Sequence, residues 1–77
     1  MREQILEVLQ NVNARIIDDD KVNLLEAGLI DSFEIVNVVM GLESVFDIEI
    51  EPELIVPDNF KNINSIVDLI KKICAEK

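Results

Sequence analysis

The sequence predicts an all-α fold, a small four-helix bundle of three main helices plus a short third helix, with a long ordered loop between helices one and two. Three observations carry this. Apolar residues recur at helical steps of three and four in three separate segments. Pro52 and Pro57 confine a further segment to short turns, because proline suits only the first turn of a helix. The one stretch with strand-like alternation, "FDIEIEPELIV", has no partner strand, and a lone strand is not stable.

In the first segment Ile5, Leu9, Val12 and Ile16 fall on one face, which predicts an amphipathic helix over residues 2–16. Three aspartates at 18–20 then break the period as a solvated loop. Residues 18–31 show no period but contain Val22, Leu24, Leu25, Leu29 and Ile30. A segment this long without its own elements is expected to be pinned down by such side chains, with Gly28 supplying a backbone angle that other residues resist.

The second helix is predicted to begin at Asp31 or Ser32. Asp31 followed three positions later by Glu34 is a variant of the capping box, and acids suit the positive end of a helix. Ile35, Val39, Leu42 and Phe46 form its core stripe, widened to one side by Val36 and Met40, and it ends near 46–47. A short helical turn is expected within 52–61, with Phe60 turned inward. The last helix is placed from Asn64 or Ser65, where Ser65 and Asp68 have capping-box spacing, with Ile66, Ile70 and Ile73 inside, flanked by Val67 and Cys74.

Seventy-seven residues are read as one domain, 1–77. A core of this size supplies roughly 3–5 kcal/mol, a thin margin for strained or desolvated catalytic groups. The chain has one Cys and no His, Trp or Tyr, so neither an internal disulfide nor a Cys/His zinc site can be assembled. No run approaches membrane-spanning length and the N-terminus lacks a signal-peptide core, so the expected location is the cytoplasm, as a soluble monomer without membrane insertion.

The net charge is −9, and residues 22–60 hold nine acids and no base. Such a field repels nucleic acid and favours protein partners with basic patches. Calcium binding by residues 18–20 fails, because neither the glycine nor the closing Glu of an EF-hand loop falls in register. A paired-carboxylate hydrolase lacks a chain large enough to build a cleft. Cys74 reads as a small buried hydrophobe rather than a reactive thiol. Nucleophilic catalysis by Ser32 would need a base, and nothing in the spacing of Lys21 supports it in that role. No catalytic and no metal-binding residues are therefore assigned.

What remains is Ser32 at a helix start, where backbone N–H groups and a partial positive charge would favour an anion such as a phosphate on its oxygen. Alone, an Asp-Ser pair there is more commonly a cap. Its context reads "LLEAGLIDSFEIVNVVMGLESVFDIEI", in which Leu25, Gly28, Asp31-Ser32-Phe33, Leu42-Glu43, Phe46-Asp47 and Ile50 occur in order. This stretch resembles the central region of acyl carrier proteins, and the flanking helices and length extend the likeness over essentially the whole chain. The resemblance implies that Ser32 bears 4′-phosphopantetheine, placed there by a separate phosphopantetheinyl transferase that supplies the activating base this chain lacks. The chain itself would be a non-catalytic carrier. It would move acyl intermediates as thioesters between enzymes of fatty-acid or related biosynthesis, the acyl-loading and acyl-processing partners whose basic patches meet its acids.

The resemblance places Asp31, Phe33, Glu34, Asn37, Met40 and Glu43 at the partner surface, with Val36 and Met40 beside the arm or its cargo. Phe33 stands where Leu or Met is usual, as a partner anchor or a locally packed side chain. Asn37 and Ser44 replace acids typical of fatty-acid carriers. The 51–63 connector is longer than in those carriers and contains Phe60, which resembles D-alanyl carriers and others served by adenylating ligases. The Gly-Gly-x-Ser context of peptide-synthetase carriers is absent. The alternatives are thus a D-alanyl or other aminoacyl carrier and, from another class, an unmodified acidic helical adaptor.

Overall fold

A computed structural model describes residues 1–76. Among them the elements run α1 (Arg2–Val12), α2 (Ser32–Phe46), a 3₁₀ turn (Pro52–Leu54), α3 (Pro57–Phe60) and α4 (Ile63–Ala75). The predicted all-α bundle is what forms: α1 packs on α2 and on α4, and α3 packs on α4. One core joins them, built from Ile5, Leu9, Val38, Leu42, Phe60, Ile66 and Ile70 with their neighbours.

α1 is shorter than its periodicity predicts. It stops at Val12 because Asn13 turns extended (φ −148°, ψ 112°) while its backbone N–H still closes the last helical bond to Leu9 O. The Asn13 side chain replaces further helix with two bonds of its own. Oδ1 accepts from Arg15 N–H at 2.9 Å, and Nδ2 donates to Leu29 O at 2.9 Å. Ile16 is nonetheless fully buried, so the apolar period outlasts the helix. Val8, absent from the predicted face, is buried in place of Val12, which is half-buried.

The segment from 13 to 31 is ordered as expected, and hydrogen bonds do as much as leucines. Leu24 and Ile30 are buried, while Leu25 and Leu29 are half-buried. The Asn23 carboxamide oxygen accepts from Leu25 N–H and Glu26 N–H, folding a turn that Gly28 completes with φ +73°. The Leu24 N–H then donates to Lys61 O at 2.6 Å, tying this loop to the start of α4. At the other end Arg2 pairs with Asp18 at 2.7 Å and with Asp20, so two of the three aspartates hold the loop against α1.

α2 begins at Ser32 with Asp31 as its cap, as predicted. Its buried face is Ile35, Val38, Val39 and Leu42, with Phe46 half-buried. Val36 and Met40 do not widen the core; both lie more than half exposed, and Val38 takes that place. At the far end Asp47 adopts the left-handed conformation (φ 52°, ψ 53°), which stops the helix and lets Asp47 N–H and Ile48 N–H share the Glu43 carbonyl.

The connector makes two turns rather than one, each opened by a proline at its first position. Phe60 is fully buried, as expected. α4 begins earlier than predicted. Its cap is Asn62, whose side chain accepts from Ser65 N–H at 2.8 Å, so Ser65 lies inside the first turn and does not cap. The inner face gains Ile63 and Leu69, and Cys74 is half-buried beside the core.

Candidate functional site

The start of α2 is fixed on both sides. Ile30, 1% exposed, anchors the chain before it and Ile35 anchors the first turn after it. The Asn13 side chain holds the Leu29 carbonyl two residues before the cap. Nothing local in the sequence marks Asn13, which lies inside an apolar period that continues to Ile16. Between these anchors Asp31 and Ser32 stand exposed. Asp31 Oδ1 accepts from Phe33 N–H at 2.9 Å and from Glu34 N–H at 2.8 Å, and Asp31 O accepts from Ile35 N–H at 3.0 Å.

This geometry corrects one expectation. The amides at the head of α2 were expected to stand ready for an anion, but Asp31 already occupies those of Phe33 and Glu34. The electrostatic end of the helix remains, with the aspartate charge set against it. Among the described residues no hydrogen bond engages the Ser32 hydroxyl. An unengaged alcohol without a base is a poor nucleophile on its own and an open position for a group delivered from outside.

The other predicted partner residues fall into two sets. Phe33 (83% exposed), Asn37 and Met40 stand on the outward side of α2. Phe33 therefore does not pack locally. Glu34 and Glu43 are half-buried. The Glu43 carboxylate is turned inward to its own chain, where Oε2 accepts from Ile50 N–H at 2.9 Å. Asn37 also borders a cleft of about 350 Å³ between α1 and α2, with Gly41, Ser44 and Val45 on one wall and Val8 and Val12 on the other. The helices approach closely there, since a methyl group added at Gly41 would lie 2.7 Å from Val8 Cγ1. No helix among the described residues is long and apolar enough to cross a membrane.

A small helical bundle that offers an exposed, uncommitted serine at the head of its second helix has the form of a carrier to which a group is attached. The family model described as "Phosphopantetheine attachment site" matches residues 1–70. The D-alanyl carrier protein of Staphylococcus xylosus is 31% identical over 74 residues, covering 94% of this chain and 95% of that one. The chain belongs to the phosphopantetheine-binding carrier proteins, and its cofactor is covalently attached 4′-phosphopantetheine. Members of this family are carriers rather than catalysts, and they act together with partner enzymes. Membership sets aside the unmodified adaptor.

Proposed function

We propose that Ser32 is the attachment residue and that the chain is a discrete carrier moving acyl groups as thioesters between enzymes. The observation that carries this is the exposed, hydrogen-bond-free hydroxyl of Ser32 at the head of α2, held by Asp31 and Ile30. In the modification, the Ser32 oxygen forms a bond to the phosphorus of the pantetheine phosphate. The phosphoanhydride of coenzyme A breaks, 3′,5′-ADP leaves, and the hydroxyl proton passes to a base of the transferase. This chain contributes position alone. Asp31 fixes the first turn, Ile30 and Ile35 keep the serine from sinking into the core, and the absence of neighbouring side-chain bonds leaves its oxygen accessible.

The arm's terminal thiol then takes cargo as a thioester. Acyl intermediates of fatty-acid or related biosynthesis are one class of cargo. A second reading is D-alanyl or another aminoacyl group, activated by an adenylating ligase. It is supported by the 31% identity to a D-alanyl carrier protein, by Asn37 and Ser44 where fatty-acid carriers have acids, and by the connector with Phe60.

The test is intact mass after co-expression with a competent phosphopantetheinyl transferase. The protein should gain one phosphopantetheinyl group, and Ser32→Ala should gain none. Gain in the Ser32→Ala protein would move the site elsewhere. The purified holo form, offered the host's adenylating ligase with ATP and D-alanine, then decides the cargo class: a further D-alanyl mass supports the aminoacyl reading, and loading only by acyl-transferring enzymes supports the other.

A further inference from the structure

The head of α2 does not take its position from α2 alone. Leu29, three residues before Ser32, is held at both of its backbone groups. Its N–H donates to Leu24 O at 2.9 Å, and its carbonyl accepts from Asn13 Nδ2 at 2.9 Å. Leu24 is buried and tied through its own N–H to Lys61 O at 2.6 Å. Leu29 is thus clamped between the fixed loop at Leu24 and the end of α1.

Asn13 has a firm mount. Its N–H closes α1 on Leu9 O, its carbonyl accepts from Ile16 N–H at 3.1 Å, and Leu9 and Ile16 are fully buried on either side. Ending α1 does not require the Nδ2 bond, because Leu9 O is already satisfied and Oδ1 serves Arg15 N–H. The Nδ2 bond instead reaches across 16 positions of the chain. Among the described residues, no other side chain from outside residues 27–34 bonds to that segment.

The restraint falls where the chain needs one. Gly28 is exposed with φ +73°, and a glycine gives the backbone entering Leu29 little stiffness of its own. Leu29 is only half-buried. Ile30 sets how deep the segment sits, whereas the Leu29 carbonyl sets the direction in which it leaves. From there to Ser32 the chain reaches about 10 Å at most, so a swing at Leu29 is passed on to the serine.

We propose that Asn13 is a positioning residue for phosphopantetheinyl transfer, aiming the Ser32 hydroxyl through the Leu29 carbonyl. This rests on Ser32 being the attachment residue. In that step the Ser32 oxygen bonds to phosphorus as the phosphoanhydride of coenzyme A breaks, 3′,5′-ADP leaves, and the hydroxyl proton passes to a base of the transferase. Such an attack depends on placement, and a displacement of about 1 Å costs on the order of a hundredfold in rate. Asn13 touches none of the reacting atoms, so its effect lies in presentation.

The experiment follows transfer from coenzyme A to the full-length apo protein by a competent phosphopantetheinyl transferase, with intact mass as the readout over a range of carrier concentrations. Asn13→Asp keeps the acceptor for Arg15 N–H but sets a carboxylate oxygen in place of the donor to Leu29 O. Asn13→Leu removes both bonds without adding charge. Both should lower kcat by about tenfold and leave KM for the carrier within about twofold of wild type, the pattern of lost placement rather than lost docking. Asn59→Asp is the control. Asn59 Nδ2 makes the same kind of bond, to Leu54 O at 2.7 Å, from a half-buried position outside the head of α2. That variant should transfer with wild-type kcat. Hydrogen exchange separates local release from general loosening: in both Asn13 variants the Leu29, Ile30 and Ile35 amides should exchange about tenfold faster, while Ile66 in α4 stays near wild type. Wild-type kcat in Asn13→Leu, a change confined to KM, or exchange that quickens as much at Ile66 as at Ile30 overturns the positioning role and leaves Ser32 as the attachment residue. No mass gain on the wild-type protein overturns both.

Discussion

The backbone N–H of Ile50 donates to Oε2 of Glu43 at 2.9 Å, so an acid of α2 closes over the first residues of the connector. Ile50 is buried at 4% exposure, and its amide loses its acceptor if the carboxylate is removed. Leaving such a donor unsatisfied costs about 1–3 kcal/mol. Glu43→Ala should lose that much in denaturant melts and speed hydrogen exchange at the Ile50 amide. Glu43→Gln, which keeps an acceptor oxygen, should stay near wild type.

α1 and α2 approach closely at Gly41. An added methyl group there would sit 2.7 Å from Val8 Cγ1, inside any tolerable contact. Overpacking of this kind costs about 1–3 kcal/mol. Gly41→Ala should therefore lower the urea midpoint, and Val8→Ala in the same chain should recover part of the loss. Double-mutant coupling between the two positions measures the contact directly.

Phe60 reaches the centre of the core from a four-residue helix. Truncating a buried Phe costs about 3–5 kcal/mol, and a core this small supplies roughly the same amount in total. Phe60→Ala should be largely unfolded at room temperature by circular dichroism. Phe60→Leu should fold with a lowered melting temperature.

Glu51 is raised above its ordinary value of 4.5, first by its hydrogen bond with Glu53 and then by the charge of Glu53, with Glu76 and Glu49 adding to it. A folded-state carboxyl raised in this way favours its protonated form. Its contribution to stability is present below 4.5 and is lost as the pH rises through the raised value. Glu51→Gln should thus raise the melting temperature at pH 7 and have less effect near pH 4. The side-chain carboxyl resonance of Glu51 should titrate with a midpoint above the ordinary one.

Much of this was legible in the chain because the strongest signals are local. Asp31 three residues before Glu34 marked the head of α2, and the prolines at 52 and 57 ruled out a long helix there, although one turn was expected where two form, since capping and proline geometry need no distant partner. The misplaced features depend on tertiary context. In a helix with nine large apolar residues among fifteen, periodicity alone does not choose the buried side, so Val36 and Met40 were expected near the core that Val38 fills. α1 was expected to continue to Ile16, because a buried isoleucine looks alike in a helix and in the turn after one. The Asn13 contact with Leu29 and the Leu24 contact with Lys61 join residues far apart in sequence, and no short-range pattern announces them. Nor does a count of acids say which of them face a partner. Glu43 required the position of Ile50.

The double use of Asp31 bears on the tether itself. With the amides of Phe33 and Glu34 already taken, a phosphodiester on Ser32 would find little on its own helix to grip. The arm would then pivot freely at its root instead of lying in a fixed groove, and the polypeptide would exert little choice over what hangs at the distal end. Discrimination among cargoes would fall to the enzymes it visits.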